Sequence, residues 1–582
     1  MTVVDAQSVA SAWLSKFALS LETGDIKSIV SLFLSRGYFR DLLNFTWDYH
    51  TLHGHSGISS FLQSNLSSGS INNVRLDERV YFAPTYGRIG PTDVGVSTGF
   101  TFDKDGIAKG QGHAKLLQDE HGEWKALSVF MMMDCLHNHP ELGPESGVYG
   151  GHTIPWGWVR DERTRMIESD PYVLVVGAGQ TGLNIASRFK QMNIPTLILE
   201  RSARVGDVWR ERYPTLVLHT PRPHHSLNYQ PFPETWPIFT PRDKLADWLE
   251  QYAISQDLVV WTRSILQPVP AYDTETARWT CTVSRDGKDV VLRPSHIIIA
   301  SGTLGSPDIP NIPSSACFLG ETLHTAAYQG GASFTGKRVI VIGAGNSSAD
   351  VCQDLVVEGA KSVMMVQRSA TAVVSGEKKA RMFMAAFPPD VPVSVSDFKF
   401  SSTPWPLLRE FAIEAGKIEE RDEESEMLEK LANKGMKLTK GTDGSGQLFF
   451  VFERLGGYWW DVGVSDLIQK DKIIVKQGVE ISRFKPNSVI FSNGSEHEAD
   501  AVIYATGYKS ILESLKPVFG EEVISKTPAI WGFDEEQELR GCYRPSGQPG
   551  LWYGAGDFFT SRFFSKLLAI QIKAIQLGLT KQ

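Results

Sequence analysis

The chain has 582 residues, 42% of them hydrophobic and 21% charged, and its net charge is −8 at pH 7. This length and composition predict two to four globular domains and exclude a disordered or fibrous protein. The acidic balance excludes the basic field that nucleic-acid binding or attachment to an acidic membrane surface requires.

Residues 1–135 predict a small α+β domain. Apolar residues from Val9 to Leu21 recur at steps of three and four, which indicates one face of a helix that ends at Gly24. Three alternating segments after residue 94 predict antiparallel strands joined by turns. This layout resembles the NTF2/SnoaL-like cone, and a domain of this kind could also mediate homodimerisation.

A cluster of histidines in this region raises the alternative of a metal site. The residues are His50, His53 and His55. Their spacing matches no zinc pattern, so no metal is predicted. The loop-like stretch 136–170 follows and is interpreted as a linker.

The first glycine-rich fingerprint follows the apolar strand Val173–Val176 and begins a helix. Its glycines permit a tight turn, close approach to a pyrophosphate and close packing of helix on strand, while the helix N-terminus attracts phosphate. A second strand ends at Glu200, an acceptor for ribose hydroxyls that repels a 2′-phosphate, so this site favours FAD. The predicted FAD contacts are Gly177, Ala178, Gly179, Gln180, Thr181, Gly182, Glu200, Arg201 and Trp209.

A second fingerprint follows the strand Val339–Ile342, and Ser348 replaces its third glycine, a change that still permits close packing. Its second strand ends at Arg368, and a guanidinium there fits the 2′-phosphate of NADPH. The predicted NADPH contacts are Gly343, Gly345, Asn346, Ser347, Ser348 and Arg368.

Between the fingerprints, the segment Phe318–Tyr328 matches the FxGxxxHxxx(Y/F) signature. With both fingerprints, Gly206-Asp-Val-Trp209 and the Ala505-Thr506-Gly507 segment, it resembles the flavin-containing monooxygenases, a family of class B flavoprotein monooxygenases, over residues 171–582. The resemblance implies that Thr506 and Gly507 lie beside the FAD, and that His324 couples the two nucleotide domains.

One segment indicates a branch of that family. Where animal enzymes place an asparagine near the flavin, this chain reads Leu218-His219-Thr220-Pro221, followed by Pro231-Phe-Pro233. These segments are similar to those of the plant indole-3-pyruvate monooxygenases. We expect Thr220 to contact the cofactor and His219 to be the catalytic candidate at the flavin edge, with a structural role for His219 as the alternative.

The resemblance implies an enzyme in which NADPH reduces FAD and the reduced flavin adds dioxygen to form a C4a-(hydro)peroxide, which passes one oxygen atom to a small organic substrate. Oxygenation of nitrogen, sulfur or activated carbon is the first hypothesis. Baeyer–Villiger oxidation or oxidative decarboxylation of a carbonyl substrate is the alternative, and a non-catalytic docking module is a third. A dithiol reductase is disfavoured because no two of the five cysteines have redox spacing.

The predicted fold class is α/β, with two Rossmann-like domains for FAD and NADPH behind the α+β cone. The predicted domains are 1–135, a linker at 136–170, an FAD domain at 171–335 and 501–582, and an NADPH domain at 336–500 with a helical insertion at about 375–460. Residues 563–577 predict an amphipathic closing helix that is too short to span a bilayer. Unpaired cysteines and the absence of a signal peptide or membrane anchor predict a cytoplasmic protein.

Overall fold

The structure, a computed structural model, describes residues 4–66, 71–418 and 422–581. Its N-terminal region is an α+β unit. The elements of this unit are α1 (Ala6–Thr23), α2 (Ile26–Ser31), β1 (Phe33–Leu42), β2 (Tyr49–His53), α3 (Gly54–Asn65), β3 (Ile71–Leu76), β4 (Thr85–Arg88), β5 (Val94–Lys104), β6 (Ala108–Gln118) and β7 (Trp124–Leu136).

The N-terminal strands form one sheet in the order β2-β1-β7-β6-β5-β3, with β4 paired to β5. Strands β1 and β7 run parallel, whereas β5, β6 and β7 form the antiparallel arrangement that the alternating pattern predicts. The predicted helix is α1, which ends at Gly24 with φ +67° and buries Trp13 and Phe17 against the sheet. The α+β layout is therefore present, while the assignment to the NTF2/SnoaL-like fold stays a prediction.

The other face of this sheet packs against the remainder of the chain. Arg40 is buried there and makes a bidentate ion pair with Glu538. Its Nε lies 2.6 Å from Oε1, and its Nη2 lies 2.7 Å from Oε2. The ring of Phe130 lies 5.3 Å from that of Phe398, and the Tyr49 hydroxyl donates to the carbonyl of Tyr543. Because both apolar and ionic groups are buried in these contacts, the N-terminal unit is an integral part of the molecule.

The second region begins with an exposed helix inside the predicted linker. Helix α4 (Trp156–Ser169) has no fully buried side chain among its described residues. The elements that follow are β8 (Val173–Val176), α5 (Gln180–Gln191), β9 (Thr196–Leu199), α6 (Asp207–Arg210), α7 (Arg242–Ser255), β10 (Val259–Trp261), β11 (Ser264–Leu266), β12 (Ala271–Asp273), β13 (Arg278–Arg285), β14 (Lys288–Leu292), β15 (His296–Ile299) and β16 (Leu304–Pro307).

The third region holds the second fingerprint and a helical insertion. Its elements are β17 (Glu321–His324), β18 (Arg338–Ile342), α8 (Asn346–Val357), β19 (Ser362–Gln367), β20 (Ala372–Ser375), α9 (Gly376–Ala386), α10 (Val393–Ser401), α11 (Trp405–Ile418), α12 (Glu423–Asn433), α13 (Leu448–Glu453), β21 (Tyr458–Asp461), α14 (Val464–Gln469), β22 (Ile473–Gln477), β23 (Ile481–Lys485), β24 (Ser488–Phe491), β25 (Glu496–Glu498) and β26 (Ala501–Tyr504).

The chain then returns to the second region. The returning elements are β27 (Tyr508–Ser510), α15 (Ile511–Phe519), α16 (Glu521–Ser525), β28 (Leu551–Tyr553) and α17 (Phe558–Gln576). Strand β16, where the chain leaves the second region, pairs antiparallel with β27, where the chain returns to it. Two paired segments therefore connect the two nucleotide units.

Two parallel sheets carry the glycine fingerprints. The first has the order β10-β9-β8-β15-β28 and the second has the order β17-β26-β18-β19-β22. Each has a strand–helix–strand unit at its centre, and the buried strands are continuous apolar runs, as parallel sheets covered on both faces require. The α/β part of the predicted fold is therefore present.

The closing helix α17 differs from its prediction. Its side chains are buried on nearly all sides, including Arg562 at 1% and Lys573 at 7% exposure. One side packs on α5 and the other meets the N-terminal unit and α10, where Arg562 pairs with Asp397. The prediction of an amphipathic helix is wrong because elements remote in sequence cover its polar side. Among the described residues, no helix is both long and apolar enough to cross a membrane.

Candidate functional site

The first glycine loop has the geometry that a nucleotide diphosphate needs. Gly177 has φ +112°, and a Cβ there would lie 2.6 Å from the carbonyl oxygen of Ala300. A Cβ on Gly182 would lie 1.9 Å from the carbonyl oxygen of Gly177, whereas Gly179 faces open space. Gln180 and Thr181 lie in the first turn of α5, whose free N–H groups point to that space. The loop is crowded by backbone atoms at Gly177 and Gly182, so a phosphate can approach it only at Gly179.

Glu200 follows β9 at the edge of this loop. Its Oε2 accepts from the N–H of Ala178 at 3.0 Å, and its Oε1 accepts from the N–H of Ser202 at 2.8 Å. The neighbouring Arg201 is exposed. The carboxylate is therefore held in place beside the glycine loop, and its predicted contact with an adenosine ribose stays a prediction.

The carboxyl end of a further strand completes this edge, and the sequence reasoning missed it. After β28, Gly556 donates its N–H to Thr303 Oγ1 at 2.8 Å, and Asp557 caps α17 by accepting from the N–H of Thr560. Because ligands of α/β sheets lie beyond the carboxyl ends of the strands, half-exposed Asp557 is a further candidate for cofactor contact. The signal was present in the short Leu-Trp-Tyr strand followed by Gly-Ala-Gly-Asp.

The second loop repeats the first with one substitution. Gly343 has φ +124°, and a Cβ there would lie 2.3 Å from the carbonyl oxygen of Ala505. Ser348 stands in the third glycine position and donates its hydroxyl to the carbonyl of Gly343 at 2.6 Å. A Cβ on Gly345 would have no neighbour nearer than 3.6 Å, and Asn346 and Ser347 begin α8. The serine therefore permits close packing, as predicted.

Arg368 directly follows β19, the strand beside the second loop. Its side chain is 80% exposed and lies 3.3 Å from Glu480 in a weak surface ion pair. A guanidinium that is exposed here is free to turn towards a 2′-phosphate, as the predicted preference for NADPH requires.

The predicted contacts Thr506 and Gly507 lie where the chain crosses between the two units. The Thr506 hydroxyl donates to the carbonyl of Asp308 at 2.5 Å, and Gly507 has φ +84°. His324 Nε2 lies 3.0 Å from the carbonyl of Gly507, and the two rings of His324 and Tyr508 are 5.1 Å apart. His324 thus ties the Phe318–Tyr328 signature to the crossing.

His219 lies at the junction of the two nucleotide units. Its Nε2 is 3.8 Å from Asp350 Oδ2 on α8, and the side chain is 35% exposed. Tyr213 donates its hydroxyl to the same Oδ2 at 2.5 Å, which fixes the carboxylate. The loop after the first unit is thereby joined to the helix that begins the second nucleotide site.

Aromatic side chains line one side of this junction. The rings of His219 and Trp460 are 6.3 Å apart, those of Trp460 and Phe383 5.5 Å, and those of Phe383 and His224 4.7 Å. Phe383 lies on α9, so the helical insertion supplies part of the wall. We refer to the space between this wall and the two glycine loops as the flavin cleft.

Two buried histidines lie behind the loop of His219. Burial lowers the pKa of His224 to about 4 and the pKa of His225 to about 3, so both rings are neutral. His225 Nε2 bonds with Thr240 Oγ1 at 2.8 Å, and its Nδ1 lies 3.4 Å from the hydroxyl of the predicted contact Thr220. The Thr220 hydroxyl therefore already has a protein neighbour.

Several buried polar atoms around the cleft lack a hydrogen-bonding partner within the described part of the chain. They are Nε1 of Trp209, Nε1 of Trp460 and Nδ1 of His224. A buried donor or acceptor without a partner costs free energy, so these atoms fit a site that binds another molecule. Together with the two open glycine loops, they make the residues present compatible with a dinucleotide in each unit.

The structure gives no support to the alternatives based on metal or thiol chemistry. Among the described residues, no group of three metal-ligating side chains converges. His50 contacts Glu536 and Thr46, His53 stacks on Tyr38, and His55 contacts the carbonyl of Phe33. The five cysteines are all free thiols.

Comparison with known proteins gives the same result as the geometry. The family described as flavin-binding monooxygenase-like matches residues 170–399. Indole-3-pyruvate monooxygenase YUCCA1 of Oryza sativa subsp. japonica is 31% identical over 365 residues, which cover 62% of this chain and 82% of that protein. The probable indole-3-pyruvate monooxygenase YUCCA4 of Arabidopsis thaliana is 30% identical, covering 63% of this chain and 84% of that protein.

Solved structures resemble this chain more distantly. A flavin-containing monooxygenase from Stenotrophomonas maltophilia has 20% identity and a TM-score of 0.46, covering 70% of this chain and 98% of that one. An open form of cyclohexanone monooxygenase has 17% identity and a TM-score of 0.47, covering 70% of this chain and 86% of that one.

The extent of these matches leaves residues 1–169 outside the family region. The predictions of a monooxygenase and of the cofactors FAD and NADPH are confirmed at the level of the family. The chain belongs to the flavin-binding monooxygenase-like family and is a flavin-containing monooxygenase.

Proposed function

We propose that this enzyme uses NADPH and dioxygen to transfer one oxygen atom to a small organic substrate, at nitrogen, sulfur or activated carbon. The observation that carries the proposal is the junction of Tyr213, His219 and Asp350, which brings the loop after the first glycine unit onto the helix of the second. Two nucleotides bound at the two loops would therefore extend towards one cleft.

We assign the first glycine loop, with Glu200, Arg201, Trp209, Thr506 and Gly507, to FAD, and the second, with Arg368, to NADPH. Asp557 is added to the FAD contacts. The N–H groups of the two loops and helix N-termini bind the diphosphates, and Arg368 selects the 2′-phosphate.

FAD, when bound with NADPH, supplies the reduction of dioxygen that oxygen transfer needs. The protein contributes position, shielding and proton control. The aromatic wall of Trp460, Phe383 and His224 excludes water from the cleft, which limits loss of the reactive oxygen species. His219, whose Nε2 lies 3.8 Å from Asp350, supplies an imidazole N–H beside the reacting groups.

A second candidate is oxidative decarboxylation of a 2-oxo acid. In that reaction a 2-oxo acid, O2, NADPH and a proton give the shortened carboxylic acid, CO2, water and NADP+. The identity to the indole-3-pyruvate monooxygenases, together with Leu218-His219 and Pro231-Phe-Pro233, favours it. Baeyer–Villiger oxidation of a ketone is the further alternative.

The test is a substrate screen on the purified, flavin-loaded protein. Indole-3-pyruvate, phenylpyruvate, a tertiary amine, a thioether and a cyclic ketone are compared for stimulation of NADPH oxidation. Isotopically heavy dioxygen must appear in the product as one added atom. A protein that stays colourless after incubation with FAD, or that transfers no oxygen to any of these classes, would contradict the proposal.

The role of His219 is tested by His219→Gln. We expect flavin content to be unchanged and the fraction of NADPH oxidation coupled to product to fall several-fold, with more hydrogen peroxide released, because the positioned proton is lost. His121→Gln, at an exposed histidine of the N-terminal unit, is the matched control. Unchanged coupling in His219→Gln would assign the residue a structural role.

We further propose that residues 1–135 adopt an NTF2/SnoaL-like fold, that this unit contributes to a homodimer, and that the enzyme acts in the cytoplasm. The packing of the sheet on α1 to α3 supports the fold assignment. Light scattering of the purified protein tests the dimer, and fractionation of the source cells tests the location.

A further inference from the structure

A cavity of about 1280 Å³ lies where three parts of the chain meet. The N-terminal unit contributes Phe82, Met132 and Asp134, and the loop 222–234 contributes Phe232. The segment 387–398 and helix α17 close the remaining sides. We call this space the junction chamber. None of the glycine-loop residues lines the chamber. Part of the lining comes from residues 1–169, which lie outside the family match.

The charged groups in the depth of the chamber are already neutralised. Arg562 donates to both oxygens of Asp397 at 2.7 and 2.9 Å, and Arg188 pairs with Glu141 at 2.5 Å. Lys566 pairs with Asp134. An anionic ligand in the depth of the chamber would have to break one of these three pairs, and a broken buried pair leaves an uncompensated charge.

The rim of the chamber carries both signs of charge. Glu234 and Asp390 are exposed there, and so is Arg79, which pairs with Asp77. Arg222 also lines the chamber and donates to the backbone carbonyls of Pro233 and Trp236. The other lining groups are mainly aromatic, aliphatic and proline side chains, including Phe387, Val391 and Phe563. An uncharged, largely apolar molecule gains burial against these groups without displacing an ion pair.

The chamber adjoins the flavin cleft across a thin wall. Phe387 lines the chamber, and its ring lies 4.9 Å from that of His224 in an edge-to-face contact. His224 in turn contacts Phe383, which belongs to the aromatic wall of the cleft. The rings of Phe387 and His224 thus connect the chamber to the wall of the cleft, and side chains change rotamer faster than any domain moves.

We propose that the junction chamber is a binding site for an uncharged, largely apolar organic molecule, completed by the N-terminal unit, and that its occupant is the substrate waiting to enter the flavin cleft. The second half of this statement rests on the proposed function. The first half does not.

Binding is tested on the flavin-loaded full chain with N-phenyl-1-naphthylamine, a neutral aromatic fluorophore. We expect saturable binding of one probe per chain. The analogue 1-anilinonaphthalene-8-sulfonate, which carries the same rings and a negative charge, should bind about ten-fold or more weakly. Equal binding of the two probes would overturn the ligand class, and absence of saturable binding would overturn the site.

The location is tested by Ser394→Trp, which places a large side chain into the chamber from the exposed first turn of α10. We expect it to weaken binding of the neutral probe about ten-fold or more. Ser60→Trp, at an exposed serine on α3, is the matched control and should leave binding unchanged. Equal binding in both variants would place the probe elsewhere and overturn the proposal.

The substrate role is tested with the uncharged compound that gives product in the substrate screen, and product from the anionic 2-oxo acids alone would overturn that role. Ser394→Trp should raise the KM of that compound and leave the KM of NADPH and the flavin content unchanged. An unchanged substrate KM alongside lost probe binding would overturn the substrate role. If no compound is oxygenated while the neutral probe binds as expected, the proposed function fails and the binding site stands.

Discussion

The two glycine loops differ at their third position and at the end of their second strand. In the FAD loop, Gly182 approaches the carbonyl of Gly177 so closely that no side chain fits, whereas Ser348 of the NADPH loop turns the same approach into a hydrogen bond. The neighbouring strands end in Glu200 and Arg368. A fingerprint thus tolerates a side chain at its third position where that side chain can bond to the first glycine, and we expect Glu200 and Arg368 to set the coenzyme of each loop.

The largest effect is expected for Gly182→Ala. The added Cβ would meet the carbonyl oxygen of Gly177 at 1.9 Å, so helix α5 must move away from the diphosphate site. We predict that the purified variant retains almost no FAD, as measured by its absorbance, and melts at a lower temperature. Full flavin content in Gly182→Ala would show that the two loops do not differ in the way described.

Acid should also destabilise the half of the molecule that carries the first loop. The FAD half buries His224, His225 and His296, and burial lowers their pKa to about 4, about 3 and about 3. Because the unfolded chain then binds more protons than the folded chain, stability is lost as the pH falls from about 6.5 towards 4, by up to roughly 1.4 kcal/mol per pH unit for each histidine.

The measurement is the melting temperature between pH 7.5 and pH 4.5, with flavin fluorescence reporting release of the cofactor. His224→Phe keeps an aromatic ring among Phe383 and Phe387 and should flatten the decline, while His121→Phe at an exposed site should not. A melting temperature that does not fall below pH 6.5 would contradict neutral burial.

The predicted preference of the second loop for NADPH over NADH is tested at Arg368. Arg368→Ala should raise the KM of NADPH roughly 10- to 150-fold, because it removes a charge-assisted hydrogen bond of about 1.5–3 kcal/mol, and it should leave the KM of NADH unchanged. Glu480→Gln is the control, because it removes the surface partner of Arg368 and should not weaken NADPH binding. Equal losses for both coenzymes would remove Arg368 from the 2′-phosphate site.

The smallest effect is expected for Ser348→Ala, which removes only the 2.6 Å bond to the Gly343 carbonyl. We predict a loss of about 1 kcal/mol in the free energy of unfolding, with NADPH binding nearly unchanged. A large loss of NADPH binding would mean that the serine contacts the coenzyme itself.

Local features of the fold could be predicted from the sequence, because a strand, a glycine loop and a helix lie within one short segment. Glu200, Arg368 and Ser348 all follow from such segments. Asp557 also had a local signal, but it lies in the returning part of the chain, far from the fingerprint it completes. His224 and Phe383 had none, because they meet only when the insertion folds over the first unit.

Burial imposed by remote elements explains the prediction that was wrong. The apolar pattern of α17, interrupted by lysines, indicated an exposed polar face, yet that face is covered by the N-terminal unit and α10. A sequence pattern records which residues are charged, but not whether an opposite charge from another segment will neutralise them. Arg562 and Asp397 are 165 residues apart in the chain.

The buried pair of Arg40 with Glu538 has a consequence for dissecting the enzyme. Removing residues 1–135 would leave the Glu538 carboxylate inside the protein without its counter-ion Arg40, a loss of about 3–5 kcal/mol before any apolar area is counted. We expect such a truncated form to be recovered only when Glu538→Gln accompanies the cut. The N-terminal unit is thus tied to the rest of the enzyme by a buried charge that the remaining chain cannot neutralise by itself.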